Sequence, residues 1–152
     1  MAKFGSDVLG AWVLKCNPQM WDIVAFMADG NRVIDGWSVQ GNVRAKNMVS
    51  GEPVVLWVSG SGSTIEAGAW GVGQVAGPAA PGSPDKYWLA KPGSLYVPLN
   101  LRIDRCLVPK AEAKQSPVLS ESELIRMPRM SNPVMLTATE WTEFQRVLAA
   151  HP

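Results

Sequence analysis

The side chains that most often perform catalysis or hold metal ions are scarce in this sequence. The 152 residues include one histidine, His151, and two cysteines, Cys16 and Cys106, which lie far apart. Zinc sites need several His or Cys ligands at close spacing, and a nucleophilic Ser or Cys needs a positioned base. The sequence therefore argues against a zinc site, a histidine-based triad and a Cys–His pair. It predicts no metal and no cofactor.

Carboxylate pairs and a glycine-rich segment give only weak signals of an active site. Glu121 with Glu123, and Glu140 with Glu143, lie in helical contexts where capping and solvated faces account for them. The glycine-rich segment 71–77 lacks the spacing of a dinucleotide-binding loop and lies within a predicted strand. We identify no catalytic residue, and the sequence predicts a protein that is not an enzyme.

Tryptophan is the residue type in surplus, with seven Trp against two Tyr and three Phe. Large flat rings either pack a core or stack on a ligand. Trp37 and Trp88 lie beside segments in which the hydrophobic periodicity fails, and such a position favours contact with a ligand. Packing is the better interpretation of the other five, which lie in predicted strands or on the core faces of predicted helices: Trp12, Trp21, Trp57, Trp70 and Trp141.

Charge and hydropathy limit the partners of the molecule. The formal net charge of +1 gives no whole-molecule field that would indicate nucleic acid by itself. Residues 86–129 carry an excess of basic side chains, which is either an ordinary solvated face or a modest basic strip. No apolar run approaches the ~18 residues of a membrane span, and the start of the chain does not resemble a signal peptide. Because two distant cysteines suit reduced thiols, we expect a cytoplasmic protein that does not contact a membrane.

Hydrophobic patterning predicts one α+β domain over 11–152, preceded by a loose leader at 1–10. The run at 54–59 is almost continuously apolar, which indicates a strand buried on both faces. Glycines inside the strand predicted at 67–76 indicate a bulge, a barrel corner or a close approach of another group. The remaining predicted strands are 11–16, 32–39 and 95–105.

Capping signals predict the helices. Asn17 and Pro18 suit the N-cap and first position of a helix over 18–28, which Gly30 ends. Thr137, with Glu140 three residues later, forms a capping box for a final helix that reaches about residue 150.

Two segments between these elements have weaker signals. Residues 109–123 predict one or two short helical turns. The Pro-rich segment 77–84 predicts a surface loop without regular structure.

Six segments, taken in order, resemble those of an EVE domain, in the branch associated with McrBC-type modification-dependent restriction systems. The likeness spans about residues 11–148. The matching segments are 12–18 (WVLKCNP), 37–39 (WSV), 51–60 (GEPVVLWVSG), 67–75 (AGAWGVGQV), 87–88 (YW) and 126–133 (RMPRMSNP), followed by 136–137 (LT) and 140–141 (EW).

The resemblance implies a fold and a function. The fold is α+β and PUA-like, a small bent β-barrel of about five to six strands flanked by short helices and a C-terminal helix. EVE domains are related to YTH domains and are understood to take a modified base, flipped out of nucleic acid, into an aromatic-lined pocket. We therefore expect a non-catalytic module that binds a methylated or hydroxymethylated base in DNA or RNA. A nuclease or ATPase would act in trans.

The resemblance also assigns residues. Trp37 and Trp88 become two cage walls that sandwich the base, since stacking returns about 1–3 kcal/mol per base against an extrusion cost of a few kcal/mol. The base edge and the pocket rim are assigned to Asn17, Pro18, Ser38, Asn42, Ser59, Gly60 and Asn132. Phosphate contacts, which position the strand without reading it, are expected from Arg44, Lys46, Arg126 and Arg129.

Two alternatives from other classes remain at this point. The chain could be a protein-interaction module in a restriction or defence system, which would bind its partner without nucleic acid. It could also be a hydrolase of modified nucleosides similar to the ASCH domains, which use Lys and carboxylate residues in the cleft. The longer turn at 60–66 and the loop at 77–84 depart from the EVE pattern and affect the rim of the pocket more than its floor.

Overall fold

The computed structural model describes residues 9–59 and 65–151. The described residues contain seven strands: β1 (Leu9–Cys16), β2 (Val33–Val39), β3 (Pro53–Val58), β4 (Gly68–Val75), β5 (Ala80–Pro81), β6 (Leu95–Pro109) and β7 (Val134–Thr137). They also contain five α-helices: α1 (Ile23–Ala28), α2 (Val43–Lys46), α3 (Lys110–Gln115), α4 (Glu123–Arg126) and α5 (Ala138–Ala149). A short 3-10 helix covers Leu119–Glu121.

All seven strands belong to one mixed sheet. The strand order is β2-β6-β4-β3-β1-β7, and β5 pairs with β6 outside this path. Only β1 and β3 pair in parallel, and the other pairings are antiparallel. Register shifts interrupt four of the pairings, and such bulges bend strands and increase their twist. The sheet therefore curves as a PUA-like fold requires, which confirms the expected α+β class with somewhat more strands.

The sheet separates two hydrophobic cores. On β1, Trp12 and Leu14 face the first core, whereas Val13 faces the second. On β3, Leu56 faces the first core and Val55 the second, because successive side chains of a strand point to opposite faces. Helices α3, α4 and α5 cover the second core. The prediction that the apolar run at 54–59 is buried on both faces is confirmed.

Two predicted helices have different outcomes. Helix α5 begins after Thr137, whose side chain accepts from the backbone N–H of Glu140, and the reciprocal bond completes the capping box. In contrast, the helix expected over 18–28 begins only at Ile23, after an N-cap at Asp22. Asn17 starts a turn instead, since its backbone oxygen accepts from the N–H groups of Met20 and Trp21.

Several strand and loop boundaries in the structure differ from those predicted from the sequence. Leu9 and Gly10 belong to β1, so the part of the expected leader that the structure describes is ordered strand. Strand β6 extends to Pro109, four residues beyond the predicted end. The segment 77–84 contributes β5, which pairs with Tyr96 and Leu95. The turn at 60–64 lies outside the described residues. Among the helices in the described part of the chain, none is long and apolar enough to cross a membrane.

Candidate functional site

A cavity of about 260 Å³ opens where the ends of β1 and β2 meet three connecting segments. The connecting segments are the turn after β1, the loop at 88–93 and the stretch that leads into β7. Three tryptophans and a set of polar and basic side chains line it, and the full set is Lys15, Asn17, Met20, Trp21, Trp37, Ser38, Gln40, Trp88, Lys91, Pro92, Gly93, Met130, Ser131 and Asn132. The structure therefore brings together five residues that the sequence assigned to the base or the rim: Asn17, Trp37, Ser38, Trp88 and Asn132.

The three tryptophans form one continuous cluster. Trp37 lies in the middle of β2 with 2% of its surface exposed, and its ring centroid is 4.9 Å from that of Trp21, nearly edge to face. The ring of Trp88 is half-buried, and its centroid lies 5.3 Å from that of Trp37 at an interplanar angle of 48°. Because these two rings are in contact, this structure leaves no gap for a base between them and does not form the expected sandwich. What the cluster offers is an aromatic wall.

The loop that carries Trp88 is tied to the turn after β1. Trp21 and Trp88 form an isolated antiparallel bridge, and the backbone N–H of Leu89 donates to the carbonyl of Met20 at 2.8 Å. The indole Nε1 of Trp21 donates to the carboxylate of Asp85 at 3.0 Å. Trp88 is therefore held beside the other two rings by contacts distant in sequence.

Tyr87 attaches the same loop to α1. Its hydroxyl donates to Asp29 Oδ2 at 2.7 Å and accepts from Asn31 Nδ2 at 3.0 Å. The hydrogen bond with the Asp29 carboxylate raises the pKa of Tyr87, so the hydroxyl stays protonated and can donate at neutral pH.

Asn132 joins two edges of the cavity. Its Oδ1 accepts from the backbone N–H of Lys15 at 2.8 Å, and its Nδ2 donates to the carbonyl of Lys15 at 3.1 Å. Its own carbonyl accepts from the N–H of Gln40. Asn132 thus connects the end of β1, through its side chain, with the residue after β2, through its backbone carbonyl, whereas the sequence assigned it to the base edge.

The charged groups that line the cavity are cationic. Lys91, which is exposed, brings an ammonium group to the cavity, and no Asp or Glu occurs among its lining residues in the described part of the chain. Lys15 also lines the cavity, but its side chain points to the face of β1 that carries Val13, away from the aromatic cluster. Burial lowers the pKa of Lys15, and the nearby charge of Glu123 opposes that shift. Lys15 Nζ donates to the carbonyl of Pro128 at 2.9 Å. Such a cavity is suited to a ligand that brings negative charge to its mouth.

The remaining residues assigned to the base lie elsewhere or outside the described chain. Asn42 is the N-cap of α2, where its side chain accepts from the N–H of Ala45. Ser59 Oγ donates to the carbonyl of Cys16 at 3.3 Å and lines a separate small cavity of about 40 Å³. Pro18 lies in the turn after β1, outside the cavity lining, and Gly60 is not among the described residues.

The four residues that were expected to contact phosphates lie in different places and do not form one cluster. Arg44 pairs with Glu123, with Nη2 at 2.9 Å from Oε2, so its guanidinium is used inside the protein. Lys46 and Arg126 are exposed at the ends of α2 and α4. Arg129 is exposed in a groove that it shares with Met130 and Ser131, both of which also line the aromatic cavity.

Sequence reasoning missed nine lining residues, most notably Trp21 and Lys91. Trp21 was assigned to packing on a helix that does not begin until Ile23. The signal that could have found it is Asn17-Pro18, since this pair favours a turn as strongly as a helix start. The other missed residues are Lys15, Met20, Gln40, Pro92, Gly93, Met130 and Ser131.

The thiols do not supply a nucleophile at this site. Cys16 is buried and Cys106 half-buried, and both are free. Burial raises the pKa of both thiols, that of Cys106 to about 11, so they remain protonated at neutral pH. Within residues 9–59 and 65–151, no group of three His, Cys, Asp or Glu side chains is placed to hold a metal ion.

Comparison with protein-family models gives no match, and comparison with curated proteins gives none at a significant level. Solved structures of the same fold do match. A hypothetical protein from Leishmania major is 21% identical, with 93% of this chain and 96% of that chain covered and a TM-score of 0.65.

Two human structures match over similar lengths. Human THYN1, in complex with DNA containing 5-methylcytosine, is 20% identical, with 93% of this chain and 96% of that chain covered and a TM-score of 0.57. The DUF55 domain of human thymocyte nuclear protein 1 is 21% identical, with 93% and 98% covered and a TM-score of 0.56. These likenesses show a shared PUA-like fold over nearly the whole chain.

Proposed function

We propose that the protein is a non-catalytic reader domain that accepts a modified base, extruded from DNA, into the aromatic cavity. The observation that carries the proposal is the half-buried Trp88 ring packed on the buried ring of Trp37, which in turn packs on the ring of Trp21. The base stacks on one side of this wall, because Trp37 and Trp88 leave no gap between them. A cavity of about 260 Å³ suits one base, since sites for drug-sized ligands are about 300–1,000 Å³.

The charges around the cavity support a nucleic acid ligand. An extruded base carries its own phosphates to the mouth of the pocket, where the exposed Lys91 lies. Arg129, on the adjoining groove, is placed to contact the next phosphate along the strand. With these two cations, Lys91 takes the place of Arg44, which is paired with Glu123.

The comparisons support the same class of ligand. Human THYN1, which shares this fold, was solved with DNA that contains 5-methylcytosine. Together with the resemblance to EVE domains of McrBC-type systems, this favours a base modified by a methyl or hydroxymethyl group. A reader of this kind acts through a nuclease or ATPase supplied by another chain.

The hydrolase alternative is less well supported by this cavity. It requires a lysine paired with a carboxylate in the cleft, and the lining side chains in the described residues include two lysines but no Asp or Glu. Asp85, the carboxylate nearest the aromatic cluster in the hydrogen-bond network, is engaged by the indole of Trp21.

The decisive experiment compares Trp88→Ala with Trp70→Ala. Both side chains are half-buried, but Trp70 does not line the cavity and its Nε1 donates to the carbonyl of Glu66. Affinity is measured by fluorescence anisotropy with oligonucleotides that contain one 5-methylcytosine or one cytosine. Loss of one base-stacking surface is worth about 1–3 kcal/mol, so Trp88→Ala weakens binding of the modified oligonucleotide about 5- to 150-fold.

The control and the unmodified base complete the test. Trp70→Ala retains wild-type affinity, and the wild type prefers 5-methylcytosine over cytosine about fourfold, as expected for one buried methyl group worth about 0.8 kcal/mol. If folded Trp88→Ala binds both oligonucleotides as tightly as the wild type, the cavity is not the base-binding site and the proposal fails.

A further inference from the structure

Trp37, which lines the aromatic cavity, carries a hydrogen-bond donor that has no partner in the described part of the chain. Trp37 is 2% exposed, and its indole Nε1 is fully buried without an acceptor among the described residues. A buried donor without an acceptor is costly, because it has lost its hydrogen bond to water. Such groups are rare in folded proteins and each requires an explanation.

Other tryptophans of the same fold have acceptors. Trp12 Nε1 donates to Glu52 Oε1 at 2.9 Å, and Trp21 Nε1 donates to Asp85 Oδ1 at 3.0 Å. Trp70 Nε1 donates to the carbonyl of Glu66 at 2.8 Å. Within the described residues, Trp37 is the tryptophan whose indole N–H is buried without an acceptor, and it lines the cavity.

The polar groups around Trp37 also favour donation to a ligand. The ammonium group of Lys91 can only donate. The amide oxygen of Asn17 already accepts from the N–H of Gln19, and that of Asn132 from the N–H of Lys15, which leaves Asn17 Nδ2 as a further donor. Ser38, Gln40 and Ser131, which also line the cavity, can donate as well as accept, so a ligand with acceptor atoms finds donors on several sides.

We propose that Trp37 Nε1 donates a hydrogen bond to an acceptor on the edge of the bound base and so selects the orientation of that base. The proposal rests on the proposed function, because it assigns a role within the same cavity. A cytosine matches the donors well: its O2 and ring N3 are adjacent acceptors, and carbon 5, where a methyl or hydroxymethyl group is attached, lies on the opposite side of the ring. Adenine offers a single acceptor, N1, beside an amino donor on the corresponding edge.

The test removes the N–H without removing the ring. Trp37 is replaced by 3-benzothienylalanine, which keeps the shape of the indole and has sulfur in place of N–H. Single-stranded oligonucleotides carry one 5-methylcytosine, one analogue in which N3 is replaced by C–H, or one analogue that lacks O2. Single strands are used because these analogues would also change base pairing in a duplex.

The expected result is a coupling between the two deletions. The native protein binds 5-methylcytosine about threefold to tenfold more tightly than one of the two analogues, as for a hydrogen bond between neutral groups. The benzothienyl protein loses that discrimination and binds 5-methylcytosine as weakly as the analogue. Trp37→Phe, which also lacks the N–H, shows the same loss of discrimination if it remains folded.

Two other outcomes would overturn this inference alone, and a third would overturn the reader function itself. The N–H does not contact the base, and this inference fails, in either of two cases. In the first, the benzothienyl protein binds 5-methylcytosine with native affinity. In the second, its affinity for all three oligonucleotides is lower than that of the native protein by the same factor. In either case a loss of binding in Trp88→Ala leaves the reader function standing. If Trp88→Ala binds every oligonucleotide like the native protein, the reader function itself fails.

Discussion

At the scale of single residues, Asp85 connects the aromatic wall to the rest of the fold. Its carboxylate accepts from the indole Nε1 of Trp21 and from the backbone N–H of Tyr87. Trp21 is 1% exposed, so its Nε1 depends on this acceptor. In the proposed function Asp85 is therefore a positioning residue, which would act on the ligand through Trp88 without touching it.

Asp85→Ala should both destabilise the protein and weaken binding. The buried indole of Trp21 loses its acceptor, which costs about 1–2 kcal/mol of unfolding free energy. Affinity for a 5-methylcytosine oligonucleotide falls severalfold, because the loop that carries Trp88 loses an anchor. Thermal unfolding and fluorescence anisotropy measure the two effects.

Two matched variants distinguish positioning from general damage. Asp85→Asn keeps an oxygen acceptor for Trp21 and should recover most of the affinity. Asp104→Ala removes a carboxylate whose side chain is 73% exposed and lies 3.8 Å from Arg32, so it should change neither property. Equal affinities for Asp85→Ala and the wild type would show that the loop does not need this anchor.

Residue types around the cavity are easier to predict than the partners of those residues. Asn132 is an amide near the pocket, as the sequence indicates, yet its partner is the backbone of Lys15, 117 positions away. Arg44 is a cation near the pocket, yet its partner is Glu123. Such pairs depend on where β1, α2 and α4 meet in space, and periodicity in one segment carries no information about that meeting.

At the scale of elements, glycines allow β4 to lie unusually close to β6. A Cβ at Gly73 would lie 2.1 Å from the carbonyl oxygen of Asn100 and 2.6 Å from the Cα of Leu101. Both contacts are with backbone, so no side-chain rotation would relieve them. The prediction of a close approach from the in-strand glycines is confirmed at this position.

Gly73→Ala should therefore destabilise the sheet by about 3 kcal/mol, at the upper end of the cost of overpacking. The matched control is Gly36→Ala in β2, on the opposite side of β6. There the added Cβ would lie 3.6 Å from the carbonyl oxygen of Val97, which is ordinary contact. Urea unfolding of both variants measures the difference, and equal stabilities would contradict the close approach.

Elements with strong local signals follow the sequence closely, and those fixed by long-range contacts do not. Helix α5 is predicted because its capping box and apolar face are local features. The helix expected from Pro18 fails because Asn17 makes a turn whose continuation is fixed by the bridge between Trp21 and Trp88. That bridge joins segments 67 positions apart, so the cavity floor could not be found from the local pattern.

At the scale of the whole molecule, the distribution of charge matters more than its sum. The formal net charge is +1, yet the cations next to the cavity in the described residues are Lys91 in its lining and Arg129 in the adjoining groove. A reader of one extruded base therefore needs few phosphate contacts. Most of its affinity should come from stacking and hydrogen bonds, which salt screens weakly.

This distribution predicts a shallow dependence of affinity on salt. With about two phosphates neutralised, the logarithm of the binding constant for a single strand should fall with the logarithm of salt concentration at a slope of about −1.4. Lys91→Ala should reduce the slope by about 0.7. Lys114→Ala, which removes an exposed cation of α3 outside the cavity lining, should leave it unchanged.

The same titration decides between a local rim and an extended basic strip. If the basic residues between 86 and 129 contact the strand together, the slope becomes about −5 or steeper, and Lys114→Ala reduces it as much as Lys91→Ala does. A local rim also predicts that the preference for 5-methylcytosine over cytosine is the same at low and high salt, because the cavity and not the phosphates distinguishes the two bases. A preference that disappears at high salt would place recognition outside the aromatic cavity.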